Sequence, residues 1–143
     1  MAELKTKNDL IVMLEDVFKK APALPANAKE TLVKITPWIA LIFGVLGILA
    51  GLGEVGVSPI AVFGGVRSSA MILVSGILTI VSSVMMLMAY PKTKAHAMSG
   101  WTLLFWSTIV SLVASLILGS IISAIVWGAI ELYLLFQIKS YYK

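Results

Sequence analysis

No cysteine occurs anywhere in the chain. That excludes disulfides, thiolate metal sites and cysteine nucleophiles. A single histidine, His96, stands in the short stretch KTKAHAM, and one imidazole without a second ligand is not a metal site. No Ser–His–Asp arrangement, paired carboxylates, HExxH, phosphate loop or CxxC is present. We therefore expect no catalytic residues, no metal, no cofactor and no enzymatic activity. Charge is scarce too. Asp, Glu, Lys and Arg make up 13% of the residues, against about 25% in ordinary soluble domains.

What fills the space is apolar. Hydrophobic residues reach 59% and mean hydropathy is +1.00 over 143 residues. A small soluble domain buries only about two-thirds of the surface its unfolded chain exposes, so it cannot hide this much. The composition predicts a polytopic integral membrane protein with the lipid bilayer as its main partner. The formal charge of +4 is not a nucleic-acid signal, because the lysines cluster just outside apolar runs, where topology accounts for them. The first apolar run, Leu10 to Leu14, is too short for a signal peptide and sits among Glu3, Asp9, Glu15 and Asp16. Insertion then falls to the first true span, as an uncleaved signal-anchor.

Residues 1–26 read as a cytoplasmic amphipathic helix, over 4–21, followed by a proline-rich elbow. Thr6 to Asp9 has the form of a capping box, and Leu10, Met13, Leu14, Val17 and Phe18 recur at helical spacing. This helix either docks on protein or lies in the headgroup region. Pro22 and Pro25 end it. Asn27, with Glu30 three residues on, predicts a second helix from Ala28, kinked at Pro37, where Trp38 marks the interface.

Residues 27–143 read as an all-α bundle of four transmembrane helices, at about 37–53, 68–90, 101–118 and 121–138. Between Trp101 and Ile138 the only charge is Glu131. One straight helix of that length would run roughly 55 Å, against about 30 Å of hydrocarbon. Leu118-Gly119-Ser120 is the expected turn, because glycine tolerates the left-handed backbone of a tight hairpin. With four spans the lysines fall on one side: those before span one, Lys92 and Lys94 after span two, and Lys139 and Lys143 after span four. The other side keeps Glu54 and Arg67. The positive-inside rule then places both termini in the cytoplasm, in a multi-pass protein of the cell membrane. The glycine-rich segment 54–66 reads as a non-helical loop at the outer interface or dipping over the bundle. Met85, Met86 and Met88 read as flexible packing.

Two patterns bear on function. Ala40, Gly44, Gly47 and Gly51 share one face of span one, and Ser107, Ser111 and Ser115 recur every four residues in span three. Gly128 lies on span four near the face of Glu131. Such stripes are either helix-packing seams of a bundle or oligomer, or the wall of a hydrated cavity. Glu131 is the sharper signal. A carboxylate at that depth faces protein or water, or is protonated, and no basic residue lies within any span to pair with it. It is either a proton- or cation-coupling acid or a protonated group bonded across a seam. The aromatic residues Trp101, Trp106, Trp127, Tyr90, Tyr133, Tyr141 and Tyr142 fall mostly at expected interfaces, with Trp127 and Tyr133 deeper beside Glu131.

The stretch Leu24-Pro25-Ala26 through Lys34-Ile35-Thr36-Pro37-Trp38-Ile39-Ala40, with the ending Leu132 to Lys143, resembles uncharacterised small four-span integral membrane proteins of bacteria with reduced genomes. The resemblance spans most of the chain. It implies four spans and carries no activity or site residue. The expected function is a non-enzymatic, self-associating membrane protein, a scaffold or assembly subunit packed through its glycine and serine seams. Its partners would be copies of itself or another membrane protein. The alternative is a small proton- or cation-coupled transporter or channel using Glu131.

Overall fold

Hydropathy and turn chemistry resolve into five α-helices in the computed structural model, which describes residues 2–143, with the side chains of residues 2–8 and of Val66 outside the described residues. They are α1 (Ala2–Phe18), α2 (Ala26–Val57), α3 (Val66–Lys94), α4 (Met98–Ile117) and α5 (Ile121–Ile138). Short 3-10 turns at Ile60–Gly64 and Lys139–Tyr141 complete them, and no strand occurs among the described residues. Four of these helices, α2 to α5, are long and apolar enough to cross a membrane. The protein is an all-helical bundle.

α2 and α3 are antiparallel and meet along the small-residue stripe. Gly44 faces Leu87, Gly47 faces Ser83, and Gly51 faces Ile80 and the Gly76 carbonyl. A Cβ at Gly51 would stand 2.9 Å from that carbonyl oxygen, so the backbones touch because side chains are absent. α3 packs on α4 through serine: the Ser82 hydroxyl donates to the Ser107 carbonyl at 2.9 Å and lies 2.6 Å from the Ser111 hydroxyl.

Both tight connections use the same cap, in which the amide two residues past the C-cap reaches back to the carbonyl five positions earlier. After α4, Ser120 N donates to Ser115 O at 3.0 Å and Gly119 N to Leu116 O at 3.0 Å, with Gly119 at φ 81°. After α3, Ala97 N donates to Lys92 O at 2.9 Å and His96 N to Thr93 O at 3.0 Å, with His96 in the left-handed position at φ 56°. The second turn is then clamped from afar. Met98 N donates to Lys143 O at 2.9 Å and Lys143 N to His96 O at 3.0 Å, and the Tyr142 ring packs beside His96.

The apolar core gathers at this lysine-rich end, around Trp101, Phe105, Leu132, Leu135, Ile138, Val33 and Tyr142. Trp101 is fully buried, stacks on Phe105, and donates from Nε1 to the Leu135 carbonyl at 2.7 Å. Its sequence assignment to an interfacial belt is thereby corrected: a tryptophan with a carbonyl partner inside the bundle needs no headgroup. Burial pushes the Tyr142 phenol above the ordinary tyrosine range, the Thr36 hydroxyl beside it pulling the other way.

Other boundaries move as well. α2 begins at Ala26, not Ala28. The Pro25 carbonyl accepts from Lys29 N at 3.1 Å, and Asn27 lies inside the first turn, where its carbonyl accepts from the Thr31 hydroxyl. Pro25 enters with φ −57° already set, so an Asn27 cap has no role. At the far end α2 continues through Glu54 to Val57 despite Gly53 and Gly56, because Glu54 and Val55 pack on Gly76 and Ser58 N closes onto Glu54 O at 3.0 Å. The expected loop 54–66 shrinks to Ser58, Pro59 and Gly65 around a 3-10 turn.

α1 docks on α5. Phe18 stacks on Phe136 at 5.6 Å, Lys139 Nζ meets Glu15 at 2.6 Å, and Leu24 N donates to the Gln137 side chain at 3.0 Å. The Tyr133 hydroxyl donates to the Pro22 carbonyl at 2.5 Å. The helix starts at Ala2, which places Thr6 inside it rather than at a cap; the Thr6 side chain lies outside the described residues. Leu10, Ile11, Leu14 and Phe18 form the docked side, leaving Met13 and Val17 exposed. The Glu15–Lys139 pair accounts for this roll, since it draws the flank bearing Glu15 onto α5.

Candidate functional site

α4 and α5 form an antiparallel hairpin about Gly119, and their spacing decides what faces what. They approach closely where Gly128 meets Leu112; a Cβ on Gly128 would collide with that leucine. On one flank of this contact lies a cleft of about 80 Å³, lined by Thr108, Ser111, Leu112, Ser115, Ser123, Ala124, Trp127, Gly128 and Glu131. One water needs roughly 10–15 Å³ on this kind of measure, so the cleft holds several. On the other flank an apolar groove of about 360 Å³ runs under Leu14, Val17 and Phe18 of α1.

The polar cleft extends from Ser115 and Ser123 near the hairpin tip to Thr108 and Glu131, eight residues further along α5. At 1.5 Å per residue this is about 12 Å, reaching the middle of the span. Glu131 sits at its foot with an exposed side chain. Thr108, the nearest hydroxyl, gives its proton to the Leu104 carbonyl at 3.0 Å. Among the described residues Glu131 has no ion pair, the ion pairs being Glu15 with Lys19 and with Lys139, and its polar neighbour is the Thr108 hydroxyl. Ser123 and Trp127 are exposed at the mouth. The arrangement offers one carboxylate and several hydroxyls to whatever fills or covers it, and no pair of groups fit for acid–base catalysis.

No family model, curated protein or solved structure matches the chain.

The expected site residues thus separate into two groups. Ala40, Gly44, Gly47 and Gly51 hold α2 against α3 within one chain, and Ser107 is buried against α3. The glycine stripe is taken up intramolecularly and leaves no free seam there. Ser111, Ser115, Gly128 and Glu131 come together at the cleft, while Gly119 turns the hairpin. Thr108 and Ser123 were not singled out by residue type, yet a signal for them exists in the sequence. Folding the chain back at Gly119 sets Ser115 level with Ser123, Ser111 with Trp127, and Thr108 close to Glu131.

Glu54, expected in a loop, lies in the last turn of α2, with Oε2 buried and without a hydrogen-bond partner. Among the described residues no cluster of His, Cys, Asp and Glu is suited to hold a metal ion.

Proposed function

We propose that the protein is a non-enzymatic, multi-pass protein of the cell membrane that self-associates and acts as a scaffold or assembly subunit. Both termini face the cytoplasm, and α1 is an amphipathic helix held against α5 on that side. The orientation is supported by lysines gathered at one end of the bundle, against Glu54 and Arg67 at the other.

The observation carrying the reading is the lateral opening of the Thr108–Glu131 cleft at the depth of the bilayer core. Hydroxyls and a carboxylate cannot face lipid without cost, so the opening needs a cover. A second copy supplies one. Across a two-fold axis along the membrane normal each depth meets itself, so Ser123 would face Ser123, hydroxyls serving as donor and acceptor in turn, and Glu131 would face Glu131, one protonated carboxyl donating to the other.

The natural absence of cysteine makes this testable with single thiols. Oxidative crosslinking of Ser123→Cys in native membranes is expected to give a dimer, while Leu49→Cys, exposed on the far face of α2, stays monomeric. A strictly monomeric Ser123→Cys protein would end the proposal. A crosslink to a chain of another size would replace the second copy with a different membrane protein.

One observation favours a second reading, a small proton- or cation-coupled transporter or channel: Glu131 lines the cleft with no basic residue paired to it among the described residues. In liposomes with an imposed pH gradient, wild-type protein would then carry a cation flux that Glu131→Gln abolishes. Flux equal to that of empty liposomes removes this reading.

A further inference from the structure

The contacts that set Gly51 against Ile80, Gly47 against Ser83 and Gly44 against Leu87 fix the register of α2 and α3, and that register continues toward the lysine-rich end. It brings Trp38 edge-on to Tyr90, with ring centroids 5.7 Å apart, and one turn further it sets Lys34 level with Lys94. Lys94 Nζ stands 5.6 Å from the Trp38 ring and 5.7 Å from the Tyr90 ring. Both lysines and Trp38 are exposed.

This corner is rich in donors and, among the described residues, has no carboxylate paired to its lysines. Among the described residues the ion pairs are those of Glu15, so neither Lys34 nor Lys94 has a carboxylate. Glu30, one turn before Lys34 and farther from the span, pairs with neither. Among the described residues neither the Trp38 indole N–H nor the Tyr90 hydroxyl makes a hydrogen bond of the kind that holds Trp101 and Tyr133. Two like charges held level repel unless an anion stands between them. Below the corner the lipid-facing side chains of α2 are Ile42 and Val45, both exposed. Cations, two aromatic donors and an apolar wall follow one another in the order of a phospholipid's phosphate and acyl chain.

We propose that the Lys34–Trp38–Tyr90–Lys94 corner binds the phosphate of an anionic phospholipid. The lysines bracket the phosphate, the indole and phenol donate to its ester oxygens, and the acyl chain lies along Ile42 and Val45. The inference rests on the chain spanning a bilayer, and on nothing about self-association or Glu131.

The test uses the full chain in nanodiscs containing equal phosphatidylglycerol and phosphatidylcholine, with retained lipid counted by native mass spectrometry. Wild type is expected to retain phosphatidylglycerol preferentially, and Lys34→Gln/Lys94→Gln to lose about tenfold or more of that preference, the loss of a charged hydrogen bond to the phosphate. Lys92→Gln/Lys143→Gln removes the same charge from the same end and is expected to keep the preference. Equal loss in both double variants reduces the site to bulk charge and overturns the proposal. So does displacement of phosphatidylglycerol by millimolar inorganic phosphate, which assigns the corner to a free anion. A chain that does not enter nanodiscs at all fails the membrane reading instead, an outcome distinct from entry without preference.

Discussion

Gly100→Ala is expected to destabilise the bundle by about 2 kcal/mol or more, although it adds one methyl group. Gly100 is buried in the first turn of α4, pressed against the end of α3. A Cβ there would lie 2.6 Å from the Thr93 amide nitrogen and 2.8 Å from the Lys92 carbonyl carbon. Both are backbone atoms of a capped helix end, and neither has a rotamer by which to yield. The strain passes directly into the His96 turn and its clamp to Lys143. Gly53→Ala is the internal control. Nothing lies within 4 Å of its Cβ, and a helical glycine replaced by alanine gains roughly 0.5–1 kcal/mol. Denaturant titration of both variants in detergent, followed by circular dichroism, is expected to give shifts of opposite sign. Two shifts of the same sign would refute the close approach.

Trp101→Ala carries the largest expected loss, about 3–5 kcal/mol. The indole is fully buried, stacks on Phe105 at 5.6 Å, meets Phe136 at 5.5 Å, and lies 5.4 Å below Lys139 Nζ. It also ties α4 to α5 through its bond to the Leu135 carbonyl. In lipid the solvent competes for apolar contacts far more than water does, so most of the loss is dispersion and the vacated volume. Trp101→Phe retains the ring and loses the donor, and about 1–2 kcal/mol is the expected cost. The same titration resolves the two. If alanine costs no more than phenylalanine, the ring is not the centre of the core.

These residues also mark where sequence reading succeeds and where it stops. The hairpin at Gly119 was legible because length and chemistry agree: the apolar run exceeds the bilayer, and its middle holds a residue suited to φ 81°. The four apolar helices were legible for the same reason. Trp101 was not, since an interfacial and a buried tryptophan look alike until the carbonyl that satisfies the indole is known. The continuation of α2 past Gly53 was hidden because it depends on packing against Gly76, a residue more than twenty positions away. α1 was read by periodicity, yet its roll follows from the Glu15–Lys139 ion pair, which no local pattern encodes. At the cleft, Glu131 was conspicuous alone. Its neighbours Thr108 and Ser123 become visible only when the register of the hairpin is applied.

The clamp between Met98, His96 and Lys143 has a consequence for how the protein is made. The turn joining α3 to α4 has its own cap, but its outer clamp is supplied by residues that follow α5, so during synthesis that clamp stays open until the whole α4–α5 hairpin has been made.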